Sequence, residues 1–141
     1  MADLIVTYRG VVYPSQCDHM GHMNVMWYVG KFDEATWQLF LAVGLTPSRL
    51  RDASRGMAGL EQHIEYKREL RAGDVVTIRS GVLEVREKTI RFAHRMDNDE
   101  TGQVAATTTL TAVHLDLVAR RACPLPDDVR TRAQAMIAAA G

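Results

Sequence analysis

Cysteine is scarce. The chain has two, Cys17 and Cys123, far apart and in no CxxC arrangement. That argues against a disulfide scaffold and against a thiolate zinc site, and it suits a reducing compartment, so the expected location is cytoplasmic. Net charge is missing as well. Seventeen basic residues cancel seventeen acidic ones, which leaves no global electrostatic footprint for nucleic acid. No apolar run approaches membrane-spanning length, and the opening "MADLIVTYRG" has no basic region followed by a long apolar stretch. Neither a membrane span nor a secretory leader is expected. Repeats, linkers and low-complexity segments are also lacking. What remains is 141 residues, 47% of them hydrophobic, the make-up of one globular domain with a real core, expected over 1–141.

Residues 3–13 alternate as a first strand, and a loop with Gly21 and Asn24 follows. From about Val25 to Val43, Tyr28, Phe32, Ala35, Leu39 and Ala42 form one helical stripe. Val29, Trp37, Phe40 and Leu41 interrupt the opposite face, so this helix is expected to be covered on more than one side. Gly44 can stop it, and Thr46-Pro47 reads as an N-cap with proline opening a short helix to about Ala53. The period then shifts towards two, predicting strands near 58–69, 74–86, 88–97 and 103–117. "RAGD" (71–74) and "DNDETG" (97–102) supply turns, so an antiparallel meander is the economical connection. Gly81 is the expected site of a bulge or bend, because the apolar phase changes after it. Pro124 and Pro126 close the sheet region. Asp127 or Asp128 is expected to cap an Ala-rich helix ending at Gly141, a helical tail over 124–141.

This order predicts an α+β architecture, an antiparallel sheet curled around a long helix. Such a sheet leaves exposed edges, and pairing them across a two-fold axis predicts a homodimer or homotetramer.

The chemistry gathers just ahead of the long helix, in "CDHMGHMNVMWY". Asp18 is ionised at neutral pH and suits a nucleophile, a base for water or a plain turn carboxylate. Backbone amides opening the helix around Val25 can polarise a carbonyl whose oxygen becomes negative. His22 and Asn24 can orient a carbonyl, a water or the carboxylate, though Asn24 is equally placed to cap the helix and His22 to satisfy a loop carbonyl. His19, His22 and Asp18 lack HExxH or Cys/His spacing, and no metal is expected. Cys17 has no identifiable base. Met20, Met23, Met26, Trp27 and Met57 suit either an adaptable apolar pocket or ordinary core filling. His63 and His94, on strands, are second candidates beside the site. Basic groups such as Lys67, Arg68 and Arg71 could meet phosphates, and the sequence does not choose among them.

"CDHMGHMNVMWY...FDEAT", followed by "HIEYKRELRAGD" and "TTTLTAVHLD", resembles the hot-dog-fold acyl-CoA thioesterases, within them the 4-hydroxybenzoyl-CoA thioesterase-like group, over about residues 4–126. The resemblance implies a long central helix wrapped by an antiparallel sheet, with sites at a dimer interface. It also implies hydrolysis of a CoA thioester without a separate cofactor, Asp18 attacking the carbonyl or activating water and the Val25 N–H supporting the oxyanion. The Asp18, His22, Asn24, Tyr28 pattern further resembles plant-type acyl-carrier-protein thioesterases. Asn24 and Val25 stand where the aromatic-acyl branch has aromatic residues. The expected substrate is a small or medium acyl-CoA, bound with help from Tyr28, Met26, Trp27 and His63. The competing readings are an acyl-carrier-protein thioesterase and a non-catalytic acyl-CoA-binding dimer.

Overall fold

The computed structural model describes residues 4–140. Residue 3 of the expected first strand and Gly141 of the expected last helix lie outside the described residues. Strand β1 (Ile5–Val11) leads through a short 3-10 turn (Pro14–Gln16) to helix α1 (Val25–Ala42), and then to α2 (Pro47–Asp52). Strands β2 (Arg55–Tyr66), β3 (Val75–Val85), β4 (Thr89–Asn98), β5 (Val104–Asp116) and β6 (Arg121–Ala122) follow, and α3 (Asp127–Ala140) comes last. The result is a curled antiparallel sheet with α1 packed on it, an α+β hot-dog arrangement.

The strand order is β1-β3-β4-β5-β2, with β6 beside β5. A simple meander therefore holds only for β3, β4 and β5. Instead of turning back on β3, β2 takes the far edge beside β5, along a ladder from Arg55–Asp116 to Tyr66–Ala106. The chain returns by a strap, residues 67–74, that crosses the end of the sheet. Its amides mark the route: Lys67 and Arg68 N–H donate to the Ala105 carbonyl, and Gly73 N–H donates to the Val12 carbonyl beside β1. The strap closes in the expected turn, where Asp74 accepts from Arg71 N–H at 2.8 Å and Gly73 adopts a φ of +95°.

Helix α1 buries Tyr28, Phe32, Ala35 and Leu39 as expected, each such apolar side chain contributing roughly 1–3 kcal/mol. Ala42, at the helix end, is exposed. Two linked clusters result. One joins Tyr28, Phe32 and Ala35 to Val76, Ile78 and Met96; the other joins Leu39 and Phe40 to Val82, Phe92, Val129 and Ala133, seating α3. Val25, Met26, Val29, Trp37 and Leu41 stay exposed, so within one chain α1 is covered on one side, not several. Lys31 is buried on α1 and donates to the Tyr8 hydroxyl at 2.9 Å. A Cβ at Gly10 would collide with that hydroxyl, so glycine is what lets Tyr8 lie along β1.

Three local expectations are corrected. The β3 bulge lies between Val82 and Glu84, not at Gly81; at Gly81 a Cβ would come within 2.7 Å of the Leu4 side chain, so packing explains that glycine. Asp127 and Asp128 sit inside the first turn of α3 and act there as favourable N-terminal charges, not as caps. Strand β2 begins earlier than expected, at Arg55. Among the described residues no helix is long and apolar enough to cross a membrane.

Candidate functional site

The loop between the 3-10 turn and α1 folds as a miniature hairpin. Cys17 and Met23 form an antiparallel bridge, Asp18 N–H donates to the His22 carbonyl, and Gly21 turns the chain at a φ of +83°. Buried Met23 anchors the loop below, and its N–H donates to the strap at the Leu70 carbonyl, 2.7 Å away. The hairpin is thus tied to both α1 and the strap, and Asp18 sits at its base.

Asn24 serves two purposes with one amide. Its Oδ1 accepts from Met26 N–H at 3.0 Å, capping α1, while its Nδ2 donates to Asp18 Oδ2 at 3.0 Å. Asp18 Oδ1 accepts from Met20 N–H at 2.9 Å. These two bonds, Asn24's first, hold the Asp18 carboxyl below its ordinary value, with lesser help from His19 and His22. The group is ionised and fixed in direction. Of the N–H groups opening α1, that of Met26 goes to Asn24 Oδ1 and that of Trp27 to the Asn24 carbonyl. Val25 N–H, the first of the turn, has no intrahelical partner and none among the described residues.

Asp18, His22, Val25 and Tyr28 line one cleft of about 530 Å3, together with Tyr66 and Arg68. Its far wall is the end of β2 and the strap. Tyr28 packs edge-on against Tyr66, ring centroids 5.1 Å apart. Burial pushes the Tyr28 hydroxyl up to about 12, so it stays protonated and can only donate or accept a hydrogen bond. His22 turns its Nε2 to Glu69 at 3.0 Å, which ties its ring to the strap wall of the cleft.

The other candidates fall elsewhere within one chain. Met26 is exposed on the outer side of α1, and Trp27 packs against the Phe32 cluster. His63 is exposed on β2 and lines a separate cavity of about 190 Å3. His94 is fully built into the interior: its Nε2 pairs with the Thr36 hydroxyl at 2.8 Å. Its Nδ1 pairs with the Ser80 hydroxyl, which is itself bonded to the Thr7 hydroxyl at 2.7 Å. With both ring nitrogens engaged and burial drawing its pKa down to about 4, His94 is a neutral structural residue. Sequence reasoning missed Glu69 altogether, since nothing in the spacing of the strap announces that it returns to the loop. Among the described residues no three His, Cys, Asp or Glu side chains gather as a metal site.

The model of the thioesterase-like superfamily matches residues 12–133. A betainyl-CoA thioesterase of Pseudomonas aeruginosa is 29% identical over 137 residues, 96% of this chain and 86% of that protein. An Agrobacterium fabrum protein described as an L-carnitine dehydrogenase/betainyl-CoA thioesterase is 29% identical over 109 residues, 77% of this chain but only 22% of its own length. Among solved structures, a Staphylococcus aureus protein in complex with CoA superposes with a TM-score of 0.89 at 20% identity, covering 98% of this chain and 87% of that one.

Proposed function

The chain belongs to the thioesterase-like superfamily, and from that membership we propose that it hydrolyses a small or medium acyl-CoA thioester to the free acid and CoA. One observation carries the site assignment: an ionised, oriented carboxylate, Asp18, and an unclaimed helix-start N–H, that of Val25, line the same cleft. In the first half of the reaction an Asp18 oxygen attacks the thioester carbon, the carbonyl oxygen becomes negative towards Val25 N–H, and the C–S bond breaks to release CoA thiolate. Water then cleaves the mixed anhydride, its oxygen going to the acyl carbon, so that the acid and the Asp18 carboxylate are released and the proton left over converts the thiolate to CoA. Hydrogen bonds from Asn24 and Met20 fix the direction of the Asp18 carboxylate for this attack, and equally for activating a water in its place. No separate cofactor takes part. Tyr28 and Tyr66 give the cleft aromatic walls, and the betainyl-CoA specificity of the Pseudomonas aeruginosa relative makes a short acyl chain bearing a quaternary ammonium a natural substrate to try.

We infer in addition that the working form is a homodimer or a dimer of dimers, in which a partner covers the exposed apolar side of α1 and brings Met26, Trp27 and His63 towards a shared site. The free cysteines, Cys17 and Cys123, fit a cytoplasmic location.

The test is thiol release from betainyl, short straight-chain, branched and aromatic acyl-CoAs with wild type and Asp18→Asn. The expected outcome is turnover of one group by wild type and a loss of kcat of at least about a hundredfold in the variant, with KM little changed. An Asp18→Asn enzyme that turns over like wild type would overturn the assignment, and binding without turnover would favour a non-catalytic acyl-CoA-binding role.

A further inference from the structure

A second cavity, about 540 Å3, adjoins the Asp18 cleft across the strap and shares Lys67, Arg68 and Glu69 with it. Its remaining walls are Arg71 and Asp74 of the strap and the Asn98–Gln103 turn between β4 and β5. Each wall is fixed by its own bonds. Asp74 accepts from Arg71 N–H, Asn98 Oδ1 accepts from the N–H groups of Glu100 (3.0 Å) and Thr101 (3.3 Å), and Gln103 N–H donates to the Thr101 hydroxyl (3.2 Å). The cavity is therefore formed before any ligand arrives.

Three cations and three carboxylates contribute to these walls, so formal charge alone selects nothing. What separates the two sets is how far each is already engaged. Asp74 is taken by the backbone of Arg71 and Glu69 is turned to His22 on the cleft side, which leaves Glu100, on the turn between β4 and β5, as the one wall carboxylate without a partner among the described residues. Lys67 has only an exposed contact to Glu65 at 3.8 Å, and among the described residues neither Arg68 nor Arg71 makes an ion pair. Two unengaged guanidinium forks beside an ammonium group are what a phosphate ligand requires, because the planar fork meets two phosphate oxygens at once.

We propose that this cavity seats the phosphates of the CoA moiety, with Arg71 and Arg68 as the principal partners and Lys67 where the pantetheine arm passes over the strap into the cleft. The inference rests on the thioesterase reading for its substrate, and it assigns specificity for CoA over a shorter thiol to the strap. Arg71 is the residue to change, since it lines this cavity and not the Asp18 cleft.

The experiment compares kcat/KM for an acyl-CoA with that for the same acyl-pantetheine, in wild type, Arg71→Ala, Arg71→Lys and the Arg68→Ala/Arg71→Ala pair. The preference for the CoA substrate should fall at least tenfold in Arg71→Ala, further in the double variant, and less in Arg71→Lys, with the loss in KM. An equal loss on both substrates, or no loss on acyl-CoA, would overturn the proposal. Calorimetric titration of CoA itself separates this outcome from a failure of the hydrolase reading. Should no thioester be turned over, CoA is still expected to bind wild type at least tenfold more tightly than the double variant; equal affinities, or no binding to wild type, would overturn the assignment of the cavity.

Discussion

Asn24 shows how closely stability and chemistry are tied at single residues. Removing its side chain as Asn24→Ala takes away the α1 cap, a cost of about 1 kcal/mol by denaturant unfolding. It also removes the largest influence holding the Asp18 carboxyl down. Activity that needs the carboxylate is lost as pH falls through its pKa, so the acid limb of the pH-rate profile should move upward in Asn24→Ala. An unmoved limb would mean that Asp18 does not govern it. His94 carries the opposite kind of consequence. Its pKa is about 4 in the folded protein against an ordinary value of 6.5, so the unfolded chain binds a proton there more readily. Its contribution is fully present above 6.5 and lost as pH falls from there towards 4, roughly 3 kcal/mol in all. Urea unfolding at steps across that range should show stability rising with pH, and His94→Gln should flatten the slope.

At the scale of elements, α3 is held by one pair of charges and one apolar seat. Nη1 and Nη2 of Arg49 donate to Asp128, at 2.7 and 2.8 Å, and Nη1 also reaches the Gly44 carbonyl. This links the α1–α2 corner to the start of α3, and Arg49 pulls the Asp128 carboxyl down to about 2. The pair is solvent-exposed and screened by salt, so Leu125, Val129 and Ala133 supply most of the attachment. Arg49→Ala should therefore speed amide hydrogen exchange in α3 only slightly, and Val129→Ala much more, a difference that exchange mass spectrometry reads directly. Elements were also where the sequence was most legible. Asn24 and Thr46-Pro47 mark the starts of α1 and α2 because caps are local chemistry, and each main strand declared itself by alternation. Strand β2 was placed beside the wrong neighbour, because alternation records which face of a strand is buried and not which strand lies beside it. The same limit applies at the site. Asp18, Asn24 and Val25 share one short loop and could be read together, whereas Tyr66, Arg68 and Glu69 reach that loop only through the crossing strap.

For the molecule as a whole, two surfaces are left uncovered. The outer side of α1 exposes Val25, Met26 and Val29, and β2 is an edge strand that exposes Leu60 and Tyr66. Apolar side chains on a helix face and an unpaired strand edge both call for a partner. Sedimentation or mass photometry should find at least twice the 15.7 kDa of one chain. Leu60→Glu should shift the population towards the monomer, and a wild type that remains monomeric at working concentration would remove the basis for a shared site.

The sheet order also sets a schedule for synthesis. Asp18, His22, Asn24, Val25 and Tyr28 all leave the ribosome within the first fifth of the chain, yet β1 has no partner until β3 emerges and β2 has none until β5 does. Even the hairpin that presents Asp18 waits for Leu70 to receive Met23 N–H. Such non-local pairings are slow to form and leave strand edges open meanwhile. A nascent chain halted after β2 would carry every residue of the candidate loop and no cleft to put them in.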